Sequence, residues 1–323
     1  MSQFKVLLTD RPWSNWEIEA RILAGADAEI IAAPDGDEGT LVELARDCDA
    51  IGTCWAQVTD KVIDAVPDCR GVARFGIGLD NIAVDTATRQ GIPVTYIPDY
   101  CVAEVADHAL ALLLACARNV AFFYARTKAG EYDLRAAPAM QRLSGCVLGL
   151  VGLGRIGAEV AKRARAFGLE TIAHTPSGDP RDSGCQLVSF EELLERSDFV
   201  SLHCPLTAES RGMFALPQFE RMKRSAYLIN TSRGGVIVTN DLWTALQRKE
   251  IAGAALDVFD PEPPDLSQPL YRDERVIVTP HAAFVSQQSL AELRQRVARQ
   301  IADMLHGRRP EHLVNPQIWR DRN

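Results

Sequence analysis

The feature that most constrains the fold is a group of glycines between a strand-like and a helix-like segment in the middle of the chain. Residues 147–151 form a short apolar run, which is typical of a buried parallel strand. Gly152, Gly154 and Gly157 follow, and apolar residues recur at helical spacing from Val160 onward. In such a turn the glycines allow, in order, a tight bend, close approach of a pyrophosphate and close helix–strand packing. The pattern therefore predicts a dinucleotide-binding turn, against the alternative of a turn that merely contains glycine.

Strand-like and helix-like segments alternate on both sides of this turn, in a chain of 323 residues that is long enough for two domains. The predicted strands are residues 4–9, 28–32, 50–53, 71–75, 93–97, 147–151, 169–174, 199–204, 226–230, 253–258 and 276–279. The predicted helices are residues 16–24, 40–46, 59–65, 102–117, 217–222, 240–249 and 286–305, with another beginning at Ser189. This alternation predicts an α/β fold with two doubly wound parallel sheets.

Two segments next to the glycine turn are less regular. The helix at residues 102–117 is so apolar that we expect it to pack at an interface between domains or subunits. Residues 118–144 are more polar and are predicted to form a surface connection. A helix opened by a Thr59 cap is predicted at residues 59–65.

Composition excludes several classes of partner. The formal net charge of −8 and the scattered basic residues argue against a nucleic-acid surface. The apolar run at residues 109–117 is too short to span a membrane, and no signal-peptide pattern precedes the first strand. The eight cysteines show no Cys-x-x-Cys or His-paired spacing, which favours a reducing compartment. We therefore expect a cytoplasmic protein that binds no nucleic acid, no membrane and no metal ion.

Three polar side chains each lie in a loop directly after a predicted strand: Arg233, Glu262 and His281. Taken singly, they are consistent with a surface charge, a solvated loop acid and a turn residue. Because ligands of open α/β sheets bind beyond the carboxyl ends of the strands, their joint placement favours a functional site.

These residue types suit hydride transfer to a 2-keto acid. The planar, permanently charged guanidinium of Arg233 can hold a carboxylate and polarise the neighbouring carbonyl. His281 can donate a proton near neutral pH, and the Glu262 carboxylate, between two prolines, can stabilise its imidazolium form. A second glycine pair, Gly76 and Gly78, can turn backbone amides towards an anion, although an ordinary strand-to-helix turn explains it equally well.

In these and neighbouring residues the sequence resembles the D-isomer-specific 2-hydroxyacid dehydrogenase family, over nearly its full length. The matching motifs are Gly152-x-Gly154-x-x-Gly157, His203-Cys204-Pro205-Leu206-Thr207, Asn230-Thr231-Ser232-Arg233-Gly234, Asp257-x-x-x-x-Glu262-Pro263 and Pro280-His281. The resemblance implies that Arg233, Glu262 and His281 are the catalytic set. It also implies that the backbone amides around Ile77 and Gly78 bind the substrate carboxylate, with Arg74 close by.

The resemblance further implies how NAD or NADP is held. Arg155 and Ile156 would contact the pyrophosphate, Cys204 and Pro205 would line the adenine and ribose side, and Asp257 would hold the nicotinamide carboxamide. His203 and Thr231, which stand in the matching motifs, are also assigned to the cofactor site.

The family's architecture implies a Rossmann nucleotide domain, residues 100–284, inserted in a discontinuous flavodoxin-like substrate domain, residues 1–99 and 285–323. It also implies a cleft that closes by hinge motion and a homodimer built through the nucleotide domain. The implied substrate is a small 2-keto or D-2-hydroxy acid, such as glyoxylate or hydroxypyruvate. The loop at residues 54–57 contains no Arg or Lys that could bind a substrate phosphate, which favours an unphosphorylated acid.

Two positions depart from the usual family pattern. NAD-selective members carry an acidic residue at the end of the second nucleotide-domain strand, and here that place is Thr175. With Ser177 and Arg181 nearby, NADP use or dual use is predicted as well as NAD. Phe284, after the histidine, suggests a branch similar to the C-terminal-binding-protein corepressors. The alternative function is therefore a nicotinamide-sensing interaction protein with little or no turnover.

Overall fold

The computed structural model describes residues 2–66 and 68–319. In chain order its strands are β1 (Phe4–Leu8), β2 (Ala28–Ala32), β3 (Ala50–Thr53), β4 (Val72–Arg74), β5 (Val94–Thr95), β6 (Val147–Val151), β7 (Glu170–His174), β8 (Gln186–Leu187), β9 (Phe199–Leu202), β10 (Tyr227–Asn230), β11 (Gly253–Leu256) and β12 (Val276–Val278). Its helices are α1 (Glu17–Ala24), α2 (Glu38–Ala45), α3 (Asp60–Asp64), α4 (Val84–Arg89), α5 (Val102–Ala117), α6 (Val120–Lys128), α7 (Arg155–Ala166), α8 (Phe190–Arg196), α9 (Leu216–Arg221), α10 (Thr239–Gln247), α11 (Pro269–Arg272) and α12 (Gln287–Leu305).

The described residues form two compact units, each with its own sheet. Residues up to Tyr100, together with those from Ser286 onward, make the first unit, and Cys101–Val285 make the second. The sheet of the first unit has the strand order β2-β1-β3-β4-β5, with parallel neighbours throughout. This is the flavodoxin-like order. Helix α12 joins this unit because it packs on α1, β3 and β4.

The sheet of the second unit has the order β12-β11-β10-β9-β6-β7-β8, again with parallel neighbours. The first strand of the unit, β6, lies inside the sheet, and the chain runs outward from it to one side through β7 and to the other through β9. This is the doubly wound Rossmann arrangement, in which the crevice beside the first strand is the usual ligand site. The predicted fold class is confirmed in both sheets.

Helix α5 covers residues 102–117 as predicted, but its apolar side chains have a different role from the expected one. Ala106, Leu110 and Leu113 are buried together with residues of β6 and α7, and the helix packs on α7, β10 and β11. These side chains fill the core of the second unit itself, which corrects the expectation of a domain or subunit interface for this helix.

Several local predictions need correction. Residues 118–144 are not only a connection, because they contain α6, none of whose residues is buried. A helix without a buried stripe leaves no hydrophobic period in the sequence. The short elements α4, α11 and β8 were also not predicted. The Thr59 hydroxyl does not cap α3; it donates to the carboxylate of Glu38 at 2.7 Å.

Predicted strands extend past the observed ones at their carboxyl ends. Residues 203 and 204 lie beyond β9, and residues 257 and 258 lie beyond β11. His203 and Asp257 still donate their backbone N–H groups to Val151 and Asn230 of the neighbouring strands, and the strand pairing ends there. Within the described residues no single helix is long and apolar enough to cross a membrane. Helices α5 and α6 reach that length only together, with a bend of 65° between them.

Candidate active site

The register of the second sheet brings most of the predicted site residues to one edge. Six strands end on the same row, at Val151, His174, Leu202, Asn230, Leu256 and Val278. The next residue of each chain segment therefore stands at the carboxyl edge: Gly152, Thr175, His203, Thr231, Asp257 and Thr279. Five of these six were predicted from sequence, and the sixth, Thr279, was not.

The three glycines of the strand-to-helix turn meet three different local requirements. Gly152 has φ +93°, and a Cβ there would lie 2.7 Å from the backbone nitrogen of Cys204. A Cβ at Gly157 would overlap the carbonyl oxygen of Gly152. Gly154, which precedes α7, has open space where its Cβ would be. The backbone therefore leaves no room for a side chain at Gly152 and Gly157, whereas the space beside Gly154 is open.

This open position suits an anionic group. Arg155 and Ile156 begin α7, so the free backbone N–H groups and the positive end of the helix dipole lie at the same edge. On the end of β10, the Thr231 hydroxyl is buried and has no hydrogen-bond partner among the described residues. This sheet edge fits a dinucleotide. Gly154 and the N-terminus of α7 can accept its phosphates, and the Thr231 hydroxyl can pair with one of its polar groups.

His203 and Cys204 form the wall behind the first glycine. Burial lowers the pKa of His203 to about 4, so its ring is neutral at pH 7. Its Nε2 lies 2.9 Å from the Ser201 hydroxyl. Burial also raises the pKa of the Cys204 thiol, which keeps it protonated and unreactive. Pro205 is exposed just beyond.

The loop after β7 carries no carboxylate at its first position. Thr175 Oγ1 lies 3.2 Å from Ser177 Oγ, and both residues are in the exposed part of the loop. Asp179 turns its carboxylate back to accept from the Arg181 backbone N–H at 2.9 Å. The Arg181 guanidinium is about half exposed, with Nε 3.9 Å from Asp179. Two hydroxyls therefore stand at the first positions of this loop, and a cation lies further along it.

Glu262 and His281 form the closest acid–imidazole contact at this edge. His281 Nδ1 lies 2.8 Å from Glu262 Oε2, and both side chains remain partly exposed. The other carboxylate oxygen of Glu262 accepts from the Phe259 backbone N–H at 2.8 Å. The carboxylate is therefore held from one side by its own loop and contacts His281 Nδ1 on the other.

Asp257 anchors the loop that carries His281. Its carboxylate is completely buried and accepts from the Thr279 hydroxyl and from the backbone N–H groups of Ala282 and Ala283 at 2.6–2.9 Å. Burial favours a raised pKa for this carboxyl, but the bonds from His108, Thr279 and the two amides outweigh it and lower the pKa. The carboxylate is thus ionised, and it holds the residues on both sides of His281, Thr279 before it and Ala282 and Ala283 after it. Contact with a cofactor carboxamide stays a prediction.

Arg233 is held at the end of β10 by its neighbours. Asn230, fully buried, accepts from Ser232 and donates to the Arg233 carbonyl at 2.9 Å, which closes the turn. The next residue, Gly234, packs so closely on the Phe259 carbonyl that a Cβ would overlap it. Because Phe259 also binds Glu262, the loop of Arg233 and the loop of Glu262 are in direct contact.

The predicted substrate residues lie in the first unit. Arg74 ends β4 and is buried; its Nε donates to the Gly78 carbonyl at 2.9 Å and its Nη1 to the Phe75 carbonyl at 2.6 Å. A Cβ at Gly76 would lie 2.9 Å from the Arg74 guanidinium. Arg74 therefore folds the loop that contains Ile77 and Gly78, rather than presenting its own charge to solvent.

Sequence reasoning missed the supporting residues Asn230, His108 and Thr279. His108 Nε2 lies 3.0 Å from the Thr279 hydroxyl, which in turn donates to Asp257. Asn230 stood inside a matched motif and was identifiable from it. His108 left no such signal, because it lies on α5, distant in the chain from the residues it supports.

Comparison with known proteins now identifies the family. A family model described as "D-isomer specific 2-hydroxyacid dehydrogenase, NAD binding domain" matches residues 110–283. The glyoxylate reductase of Korarchaeum cryptofilum is 40% identical over 285 residues, 86% of each chain. The chain belongs to the D-isomer specific 2-hydroxyacid dehydrogenase family. The D-3-phosphoglycerate dehydrogenase of Methanocaldococcus jannaschii is 38% identical over 280 residues, 85% of this chain and 53% of that relative. The crystal structure of a glyoxylate reductase from Paecilomyes thermophila matches with a TM-score of 0.88 and 28% identity, over 98% of this chain and 100% of that one.

These comparisons confirm the predicted family and an enzyme of the D-2-hydroxyacid dehydrogenase type. They correct the expected branch, because the similar relatives are glyoxylate reductases and a phosphoglycerate dehydrogenase rather than corepressor-like proteins. The prediction rested on Phe284. In the structure its ring packs edge-on against His281, with 5.8 Å between centroids, so the aromatic residue has a local packing role.

Proposed function

We propose that this member of the family reduces small 2-keto acids to D-2-hydroxy acids with NADH or NADPH, with glyoxylate and hydroxypyruvate as the first candidates. The observation that carries the proposal is the 2.8 Å contact between His281 Nδ1 and Glu262 Oε2, on the loop that Asp257 anchors. The relatives named glyoxylate reductase support the choice of substrate.

In this proposal each residue of the set has one task. The Arg233 guanidinium holds the substrate carboxylate and draws electron density from the adjacent carbonyl oxygen. His281 donates the proton from Nε2 to that oxygen, while Glu262 holds Nδ1 and stabilises the imidazolium form. The amides around Ile77 and Gly78 bind the carboxylate from the first unit's loop, which Arg74 keeps folded. A bound nicotinamide dinucleotide supplies the hydride.

We propose that the second unit is the nucleotide-binding domain and the first the substrate-binding domain. Gly154, Arg155 and Ile156 would face the pyrophosphate, and Thr231 has the unsatisfied hydroxyl that a cofactor group can pair. His203, Cys204, Pro205 and Asp257 complete the assigned cofactor contacts, with Gly152 and Gly157 shaping the turn. The absence of an acid at Thr175 supports NADPH use, because a carboxylate there would repel a 2′-phosphate.

We also propose a homodimer formed through the second unit and a cytoplasmic location. Helix α6 and the segment after it expose Tyr124, Tyr132 and Leu134, which are 67%, 97% and 81% exposed. A second copy that covers this surface would bury them. The eight cysteines are free thiols, six of them buried and two half-buried, which is typical of a reducing compartment.

Steady-state kinetics test the reaction. Oxidation of NADH and of NADPH is followed with glyoxylate, hydroxypyruvate and pyruvate for the native chain, for His281→Ala and for His306→Ala, a histidine of the first unit. We expect turnover by the native chain, a loss of at least ~100-fold in kcat for His281→Ala and little change for the control. Native-like turnover by His281→Ala would contradict the assigned proton donor.

Cofactor choice is tested separately by the ratio of kcat/KM for NADPH to that for NADH. Arg181→Ala is expected to lower this ratio, since its guanidinium is the cation nearest the loop hydroxyls in sequence. A strong preference of the native chain for NADH would refute the NADPH proposal and leave the reductase intact.

A further inference from the structure

The loop after β1 was not assigned to any site, yet it emerges beside the loop proposed to bind the substrate. Strands β1, β3 and β4 are aligned so that Leu8, Gly52 and Ala73 share one row. The hydroxyls of Thr9 and Thr53 on the next row are hydrogen-bonded at 2.9 Å. The chain segments after all three strands therefore leave the sheet side by side, at its carboxyl edge.

Two sets of contacts fix the loop at residues 10–16 in place. The Asp10 carboxylate accepts from the backbone N–H groups of Cys54 at 2.9 Å and Trp55 at 2.7 Å, which ties it to the loop after β3. The Trp13 ring is buried against Phe75, with centroids 5.3 Å apart, and Trp16 lies 6.1 Å from the same ring. Phe75 immediately precedes the Gly76–Gly78 turn.

Arg11, in this loop, is an exposed cation held in place by the two tryptophans. Its guanidinium lies over the Trp16 ring at 5.3 Å, and its Nη1 donates to the Trp13 carbonyl at 2.5 Å. The residue is exposed, and its other four N–H groups have no acceptor in the part of the chain that the structure describes. Arg294 also stacks on Trp13, at 5.2 Å, but it is neutralised by the buried Glu19. Within residues 2–66 and 68–319, no carboxylate forms an ion pair with Arg11.

An exposed, stacked guanidinium with open donors is suited to a carboxylate or a phosphate, which it binds through paired hydrogen bonds. Stacking and the Trp13 carbonyl hold the group in place, so less side-chain entropy is lost when an anion binds. The loop at residues 54–57 contains no Arg or Lys. The Arg74 guanidinium donates hydrogen bonds to the carbonyls of Phe75 and Gly78 in its own loop. Of the three arginines described at this edge, Arg74 and Arg294 are engaged, and Arg11 is available for a second anionic group.

We propose that Arg11 is a specificity-determining residue that binds the distal carboxylate or phosphate of a 2-keto acid whose first carboxylate occupies the Gly76–Gly78 turn. The proposal rests on the proposed function. It extends the substrate class from glyoxylate to keto acids with a second negative charge.

The experiment compares substrates with and without a distal anion. The native chain is compared with Arg11→Met, Arg11→Lys and the control Arg46→Met, which removes an exposed cation at the C-terminal end of α2. Each is assayed with 2-ketoglutarate, 3-phosphohydroxypyruvate and glyoxylate. Thermal melting verifies that each variant is folded. The quantity measured is the ratio of kcat/KM for each dianionic substrate to that for glyoxylate.

We expect Arg11→Met to lower this ratio about ten- to hundredfold for at least one dianionic substrate, mainly through KM, because a charge-assisted hydrogen bond is lost. Arg11→Lys should recover part of the ratio, and Arg46→Met should leave it unchanged. The substrate that responds, carboxylate or phosphate, identifies the group that Arg11 binds.

Two results would overturn the proposal, and they are distinguishable. If glyoxylate is reduced but the ratio is the same in Arg11→Met as in the native chain, the Arg11 proposal fails alone. If the native chain reduces no keto acid, the proposed function fails and the Arg11 proposal with it.

Discussion

His281 adopts a backbone conformation that few residues other than glycine tolerate, with φ +51°. Such a conformation costs about 1–3 kcal/mol, so it persists only where the surroundings impose it. Here the His281 backbone N–H donates to the carbonyls of Asp257 and Thr279 at 2.8 and 3.0 Å. The strained residue is also the one proposed as proton donor. The conformation is therefore part of how the imidazole is positioned against Glu262.

The charge of Glu262 is tested by Glu262→Gln, which keeps an oxygen for the Phe259 N–H but removes the negative charge. A glutamine there would hold His281 Nδ1 less strongly than the carboxylate does, because the charge-assisted hydrogen bond is lost. In the proposed reaction His281 is the proton donor, so kcat should fall about tenfold or more. Steady-state kinetics measures this, with Glu191→Gln, an exposed carboxylate of α8, as control. An unchanged kcat would contradict the assigned pairing.

The glycine turn gives a second prediction at the scale of single residues. Gly152→Ala should lower the free energy of unfolding by about 3 kcal/mol, because it combines left-handed backbone strain with overlap on the Cys204 backbone. Gly154→Ala has open space around its Cβ and should keep the native melting temperature, while it weakens nucleotide binding by crowding the pyrophosphate.

Chemical denaturation and fluorescence titration with NADH and NADPH separate the two effects. If Gly154→Ala bound the dinucleotide as tightly as the native chain, the open face of the turn would not be the pyrophosphate site.

Among the helices, α12 and α1 are joined by the most deeply buried ion pair of the first unit. Arg294 holds Glu19 through two bonds of 2.7 and 2.8 Å, and the Glu19 side chain is fully buried. The pair fixes the terminal helix on a helix near the start of the chain. Its net contribution is modest, but the loss of one partner leaves a buried charge without compensation.

Arg294→Met should therefore lower the free energy of unfolding by about 3–5 kcal/mol. The double variant Glu19→Gln with Arg294→Met should lose less, since no unpaired charge remains. Arg308→Met, which removes an exposed ion pair with Asp303 on the same segment, should change stability by about 0.5 kcal/mol or less. Urea denaturation measures all three. A double variant as unstable as Arg294→Met would show that packing of the arginine stem, rather than charge, dominates.

At the scale of the whole molecule, the two units differ in how completely they cover their apolar side chains. The large exposed apolar residues of the second unit concentrate on α6 and the segment after it, where Tyr132 is 97% exposed. Helix α5, which precedes them, is buried in the core. The helix expected to make an interface is thus internal, and the proposed dimer surface is the segment that follows it.

This proposal predicts that Tyr124→Asp with Leu134→Asp converts a dimer to a monomer in light scattering at micromolar concentration, because two carboxylates would be buried at the interface. Leu266→Asp, which places the same charge at another exposed apolar position, should leave the mass unchanged. A native chain that is already monomeric would refute the dimer.

The sequence by itself determined what local patterns can encode. It specified the strand-to-helix glycine turn, the bounds of α5 and the α/β class, since helical and strand periods are set by neighbours within a few residues. It also placed Arg233, Glu262 and His281 after strands. It could not show α6, because a helix with no buried stripe has no hydrophobic period.

The tertiary structure decided which loops meet. Only the sheet register puts Gly152, His203, Thr231 and Asp257 on one row, and only the fold shows that Asp257 anchors the loop of His281. Arg11 gained a candidate role because β1 lies beside β3 in space. Contacts between residues far apart in the chain depend on strand order, loop closure and side-chain packing together. No short stretch of sequence contains that information.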